Sequence, residues 1–336
     1  MSSAVDRLFP RLPRIAPGLA LVAAVAVPAA LLGQAVPLLG GAVAAIVLGL
    51  LVRLRFAPGD AFDAGIAWSS RRLLQASVVL LGFGLDLGDV ARTGLASLPV
   101  TLVTLTTSFI AAWMLGRRLR VPGRLAVLIG VGTAICGGSA IAAVVPILRP
   151  RADETAFAIS TIFLFNLVAV LLFPALGHLL GLSDAGFGLW AGTAINDTSS
   201  VVAAGYAFSA AAGDQAVIVK LTRATLIIPI CLALAAIQLR RGAGRTGGLR
   251  RIVPWFILGF VAASALRSTG LLPAAIAPLL HSAAGFAMVL ALAAVGLSAD
   301  LRQIRATGPR PVLLGLGVWV AVATSGLLVQ VLTGAT

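Results

Sequence analysis

Charge is scarce in this sequence. Only 11% of its 336 residues are Asp, Glu, Lys or Arg, against about a quarter in a soluble globular domain. Hydrophobic residues make up 60%, more than a water-soluble chain of this length can hide without exposing patches that aggregate. Cysteine is rarer still. The two present, Cys136 and Cys231, both lie inside apolar runs, which argues against a disulfide framework. The two histidines, His178 and His281, have no metal-ligand spacing. A phosphate-binding P-loop and a dinucleotide fingerprint are both missing, which disfavours ATP-driven transport. No Ser/His/Asp set stands out, so the expectation is a protein that is not an enzyme and needs no cofactor beyond a coupling proton or sodium ion.

What the chain has instead is apolar runs of membrane-spanning length, about 20 residues each. The expected fold class is an all-α integral membrane protein of about ten or eleven transmembrane helices in one polytopic domain over 1–336. Spans are placed at 18–36, 38–54, 73–91, 95–116, 125–148, 156–180, 187–210, 215–239, 252–268, 273–298 and 311–333. Of these, 38–54 and 252–268 are the most open to being short or re-entrant. Residues 57–72 read as an amphipathic interfacial helix. The run Leu19–Leu32 continues into further spans and lacks a cleavage site, so no secretory signal is expected.

The net charge of +14 is nearly all arginine. Its clusters sit between apolar runs, which is the positive-inside pattern rather than a nucleic-acid surface. With the N-terminus in the cytoplasm, 19 of the 25 Lys and Arg fall on the inner side and Arg92, Arg149, Arg151 and Arg267 fall outside.

Two internal similarities appear. GFGLDLGDVARTG at 82–94 matches GLSADLRQIRATG at 296–308 at five of thirteen positions, and an odd number of crossings between them would make an inverted repeat, an arrangement common in transporters; the alternative is chance similarity in a chain rich in Gly, Ala and Leu. GTAICGGSA at 132–140 matches GTAINDTSS at 192–200, and the span order gives these two the same orientation.

The second pair carries the candidate chemistry. Around Thr133, Cys136, Gly137, Gly138 and Ser139, three glycines and two hydroxyls interrupt an apolar span. A break there would aim helix N–H groups into a buried cavity, an anion site; the alternative is a small-residue packing seam. In the other copy, Asn196, Asp197, Thr198, Ser199 and Ser200 put a carboxylate among polar side chains at membrane depth. Such an acid is functional by default and would carry a proton, ligate sodium or neutralise a cation. Lys220 and Arg223 share one helix face. Their expected partners are Asp197 or an anionic substrate, with snorkelling as the alternative. Asp86, Asp89 and Asp300 read as caps near span ends.

The motifs GTAICGGSAIAAVVP at 132–146, GLWAGTAINDTSSVVAAG at 188–205 and VKLTR at 219–223 are similar to those of the sulfate exporter family of bacterial inner-membrane proteins. The likeness runs from about residue 18 to the end. The family resembles the superfamily of bile-acid symporters and cation–proton antiporters. The resemblance implies inverted repeats, discontinuous helices crossing mid-membrane, a core that includes about 125–240, a scaffold, elevator-like alternation and often a homodimer. It also implies a small anion as partner, with sulfate, sulfite or an organic sulfonate foremost, and a multi-pass protein of the bacterial inner membrane. The alternatives are a cation–proton antiporter using Asp197, or a receptor without transport. One departure matters: where the family shows His-Asp followed by Val-Ala-Gln, this chain has Asn196-Asp197-Thr198-Ser199-Ser200. The titratable imidazole is lost, which puts a histidine-borne proton in doubt.

Overall fold

The computed structural model describes residues 12–35, 40–56, 59–240, 255–271, 273, 276–299 and 308–334. Those residues are almost wholly helical, and no strand occurs among them. A chain in hydrocarbon must satisfy each backbone N–H and C=O internally, and the α-helix does this within one segment. The helices are α1 (Leu12–Ala35), α2 (Gly40–Phe56), α3 (Asp60–Trp68), α4 (Leu74–Gly82), α5 (Leu87–Arg118), α6 (Gly123–Ala134), α7 (Gly138–Leu148) and α8 (Ala152–Leu179). They continue with α9 (Asp184–Ala194), α10 (Thr198–Phe208), α11 (Ala210–Thr225), α12 (Ile227–Arg240), α13 (Trp255–Ser268), α14 (Ala277–Leu297) and α15 (Pro309–Thr333). Among the described residues, six stretches are long and apolar enough to cross a bilayer: Arg14–Gly33, Leu87–Arg118, Ala152–Leu179, Ala210–Leu234, Pro278–Leu297 and Pro309–Thr333. The chain is a multi-pass α-helical membrane protein, as its composition predicts.

The helices fall into two units, Met1–Gly88 with Phe256–Ala299, and Asp89–Trp255 with Asp300–Thr336. In the first, glycine seams let helices touch backbone to backbone. A Cβ on Gly18 would lie 2.6 Å from the Gly65 Cα, and one on Gly49 would lie 2.4 Å from the Ala293 carbonyl oxygen. The third span differs from expectation. No separate interfacial helix precedes it, because α3 runs into α4 through a π turn at Ser69–Leu73. The helix then stops at Gly82, well short of 91. Asp86 takes up the capping role expected of it: its Oδ1 accepts from Gly88 N–H at 2.7 Å and its Oδ2 from the Ser268 hydroxyl at 2.8 Å. Asp89 pairs with exposed Arg92. Most of the second copy of the long repeat, including Asp300, lies outside the described residues.

The second unit holds the larger correction. The segments 125–148 and 187–210 are interrupted where expected, but neither runs straight through. A continuous path from 123 to 149 or from 184 to 209 would separate its ends by roughly 35–40 Å at helical rise. Instead Arg124 donates to the Arg149 carbonyl at 3.2 Å, and the Ser209 hydroxyl donates to Asp184 Oδ1 at 2.6 Å. Each segment is therefore a helical hairpin, α6–α7 and α9–α10, that returns to the side it came from. The Phe187 and Phe208 rings stack across the second hairpin's base at 4.0 Å, and His178 stacks on Phe208 at 4.2 Å.

Helix α8 fixes the arrangement. It is about 42 Å long at helical rise. The first hairpin's base adjoins its start at Arg151, while the second packs near its end, where a Cβ on Gly177 would meet the Phe187 ring at 2.3 Å. The hairpins thus enter from opposite ends of α8 and meet half-way along it. GTAICGGSA and GTAINDTSS, read from sequence as equally oriented, are the tips of oppositely directed hairpins. Around the second hairpin, Phe173 stacks on Trp190 at 4.1 Å and Trp319 of α15 completes a buried aromatic cluster.

Candidate functional site at the hairpin tips

The tip of the first hairpin turns on Gly137. Its φ of 66° and ψ of −131° lie in a region reserved for glycine. A Cβ here would sit 3.0 Å from the Asp197 Cβ and 3.4 Å from Ile162 Cγ2. Absence of a side chain therefore does two things: it permits the reversal and lets the two tips touch.

At each tip an entering helix ends and a returning helix begins. The entering helices, α6 and α9, present C-terminal carbonyls that have no partner in their own helix. Helix α11 supplies those partners. It starts at the base of the second hairpin and runs back along both its arms, with Gly192 and Gly205 providing the close approach to Val219 and Gly213. Eleven residues beyond Ser209, about 16 Å of helix, it delivers Lys220 to the tips. Lys220 Nζ donates to the carbonyls of Ile135 and Ile195, each at 2.8 Å. Arg223 donates from Nε to the Ala134 carbonyl at 2.5 Å, from one terminal nitrogen to Thr133 at 2.7 Å and from the other to Thr193. Both side chains are fully buried. Five carbonyls from two hairpins are thereby held by two cations from one helix.

This placement departs from the sequence expectation. The partners of Lys220 and Arg223 are backbone carbonyls. No salt bridge among the described residues joins either cation to Asp197. Snorkelling is ruled out by their complete burial.

The returning helices, α7 and α10, point their N-termini into the same region. Asp197 caps α10. It accepts from Ser200 N–H at 2.7 Å, the Ser199 hydroxyl at 2.6 Å and the Ser200 hydroxyl at 3.3 Å, and from the Asn166 amide. Asn166 also accepts from the Asp197 N–H at 3.3 Å. It comes from the middle of α8 and was not singled out from sequence, although a lone amide inside the apolar run 156–180 was a readable signal. No side chain caps α7. The Cys136 thiol is buried at the tip.

The predicted residues thus come together and then divide by role. Lys220, Arg223, Ser199 and Ser200 are buried and committed to holding the tips. Gly138, Thr198 and Asp197 are half-buried and Ser139 is exposed, so these four form the accessible surface of the tips. Asn196 stands apart. It is 1% exposed, and neither its amide nitrogen nor its oxygen has a protein partner; Thr133 Oγ1 is in the same state. Buried polar atoms in that condition cost about 1–3 kcal/mol each, a cost natural proteins accept at functional sites.

The formal charges at the tips sum to a net positive value. Each helix end carries about half a charge, so the two N-termini and two C-termini cancel, and two cations against one carboxylate leave roughly one positive charge. Among the described residues no cluster of three His, Cys, Asp or Glu could hold a metal.

The chain is similar along nearly its full length to proteins of one family. The family model described as conserved hypothetical protein 698 matches residues 17–315. A UPF0324 membrane protein of Streptococcus pyogenes serotype M18 is 43% identical over 329 residues, covering 95% of this chain and 97% of the relative. Its counterpart in Streptococcus agalactiae serotype V is 41% identical over 327 residues, covering 95% and 97%. One from Fusobacterium nucleatum is 38% identical over 338 residues, covering 94% and 98%.

Proposed function

The chain belongs to the UPF0324 family of membrane proteins, and on that footing we propose that it is a secondary transporter of a small anion. The observation that carries this reading is the meeting of two opposed hairpins at a point of net positive charge. A protein that only anchors or packs has no need of two fully buried cations at the centre of its hairpin unit. Polar groups at such depth are expensive and mark ion or substrate pathways.

The anion is held at the open N-terminus of α7, by the Gly138 and Ser139 N–H groups and the Ser139 hydroxyl, with Thr198 facing it from the other tip. Lys220 and Arg223 act at one remove, cancelling the negative helix ends that would otherwise repel it. Sulfate, sulfite and organic sulfonates fit this chemistry because their oxygens accept several N–H and O–H donors at once. Asp197 is the coupling group, and a proton or sodium ion on its carboxylate would change the local charge by one unit. One observation favours a second reading, a cation–proton antiporter. Asp197 gathers two hydroxyls and an amide, an oxygen-rich set suited to a cation. The protein resides in the bacterial inner membrane with its N-terminus in the cytoplasm, and it is not an enzyme.

The test is a stability and flux screen on the purified protein. An anion at 100 times its dissociation constant should add about 2.7 kcal/mol to stability. The same anion should drive counterflow in proteoliposomes, and both effects should weaken in Ser139→Ala. Stabilisation by sodium or by pH alone, with no anion effect, overturns the anion reading in favour of the antiporter.

A further inference from the structure

Away from the tips, a second basic site lies at the base of the first hairpin. A cavity of about 290 Å³ opens there between the ends of α5, α8 and α15, all within the second unit. Arg120, Arg151 and Arg310 line it, one from each of three separate chain segments, above an apolar floor that includes Leu125 and Phe157. Its local charges are accounted for in part. Glu154 is buried, and its Oε2 accepts the Arg151 N–H at 2.8 Å, closing the first turn of α8. The Arg151 guanidinium pairs with Asp153 on the surface. Arg120 and Arg310 have no ion-pair partner among the described residues. Neither guanidinium is ion-paired, and with Glu154 as the one carboxylate in the lining the cavity keeps a net positive charge.

The surroundings narrow the choice of ligand. The helices that end at this cavity present lipid-type surface immediately beside it: Trp113 of α5, Ile159 of α8 and Leu313 of α15 are all exposed. Trp113 carries the Arg117 guanidinium over its ring at 4.4 Å, the amphipathic pairing expected at the headgroup level of a bilayer. A molecule bound here has its charged end between arginines and its apolar end against hydrocarbon. We propose that this cavity is a binding site for the phosphate of an anionic phospholipid, with Arg120 and Arg310 as its ligands and the acyl chains following the outer faces of α5 and α15. Basic pockets between membrane helices bind acidic headgroups by this logic. The site is independent of the transported anion, which the tips would bind.

The test uses the full-length protein in a non-ionic detergent, with bound lipid read by native mass spectrometry. Phosphatidylglycerol should bind in preference to phosphatidylcholine. Each basic residue near an anionic headgroup contributes about a factor of five in affinity. Arg120→Ala with Arg310→Ala should therefore weaken phosphatidylglycerol binding about 25-fold, while Arg118→Ala, an exposed arginine outside the cavity, should leave it unchanged. The Arg120→Gln, Arg310→Gln pair serves where the alanine pair does not fold. Undiminished phosphatidylglycerol on the folded double variant overturns the site. Equal occupancy by inorganic phosphate, with no preference for the lipid, overturns the lipid assignment.

Discussion

Replacing Arg223 with Met separates a structural clamp from a substrate ligand. In the structure, the guanidinium holds three carbonyls, those of Thr133, Ala134 and Thr193, drawn from both hairpins and buried with it. Methionine fills similar space and removes every donor. An orphaned buried acceptor costs about 1–3 kcal/mol. Taking the low end, because the variant no longer desolvates a charge, three carbonyls give a loss of about 3 kcal/mol. For a unit of this size that corresponds to roughly 6–12 °C in the midpoint of thermal unfolding. Heating the detergent-solubilised protein with no anion present, and following tryptophan fluorescence, measures it directly, since Trp190 and Trp319 are buried beside the second hairpin. Arg223→Lys should recover part of the loss, because an ammonium reaches some but not all of the three oxygens. An Arg223→Met protein that unfolds at the wild-type temperature while losing transport would refute the clamp and make Arg223 a substrate contact.

Four other outcomes follow from the tips. Gly137→Ala forces an alanine into a glycine-only conformation against Asp197; the loss should be about 2–4 kcal/mol, measured as a shift in the denaturation midpoint. Asp197→Asn can still accept from the Ser200 N–H but then turns an amide NH2 against the Asn166 amide, so stability should fall by about 1–3 kcal/mol, while the sodium or proton dependence of flux disappears. Asn196→Leu removes two unpartnered buried polar atoms; without ligand it should be neutral or stabilising by about 1–2 kcal/mol, and the anion-induced stabilisation should be lost if Asn196 turns its amide to the substrate. Single cysteines at 124 and 149, in a background lacking Cys136 and Cys231, should react with an impermeant thiol reagent from one face of the membrane, and cysteines at 184 and 209 from the other. Labelling of 124 and 149 from opposite faces would eliminate the hairpin topology.

Much of this was legible in sequence, and where it was not the reason is physical. Interrupted helices at 135–137 and 195–197 follow from glycine, hydroxyl and carboxylate residues inside apolar runs, since those side chains weaken a helix interior. The capping role of Asp86 follows from its place between two spans. What a run of apolar residues cannot report is direction. A hairpin of two 11-residue arms joined by three residues and one through-helix of 25 residues have the same composition, and the reversal rests on one dihedral at Gly137 and on contacts such as Ser209 with Asp184. Likewise, the i, i+3 spacing of Lys220 and Arg223 gives their shared face, but their partners are backbone carbonyls from segments 85 to 90 residues away in the first hairpin. No side-chain pattern encodes those acceptors.

One sequence signal did point to the hairpins. Eleven straight crossings strand Arg149 and Arg151 on the outer side, opposite the Arg117–Arg124 cluster from which only the first interrupted segment divides them. Two arginines flanking a short connection oppose the positive-inside bias that orders the rest of the chain. With α6–α7 folded back, Arg149 stands beside Arg124, and Arg120, Arg151 and Arg310 line one cavity. Counted on the spans placed from sequence alone, folding both interrupted segments back would leave nine crossings in place of eleven and put 21 of the 25 Lys and Arg, instead of 19, on the proposed inner side. The second hairpin reverses in the same way and preserves the parity, so the proposed orientation, N-terminus inside and C-terminus outside, is unchanged while two of its exceptions vanish. An arginine on the wrong side of an interrupted apolar segment is therefore a readable sign of re-entrance. It depends on the cost of translocating a cation and needs no structure to apply.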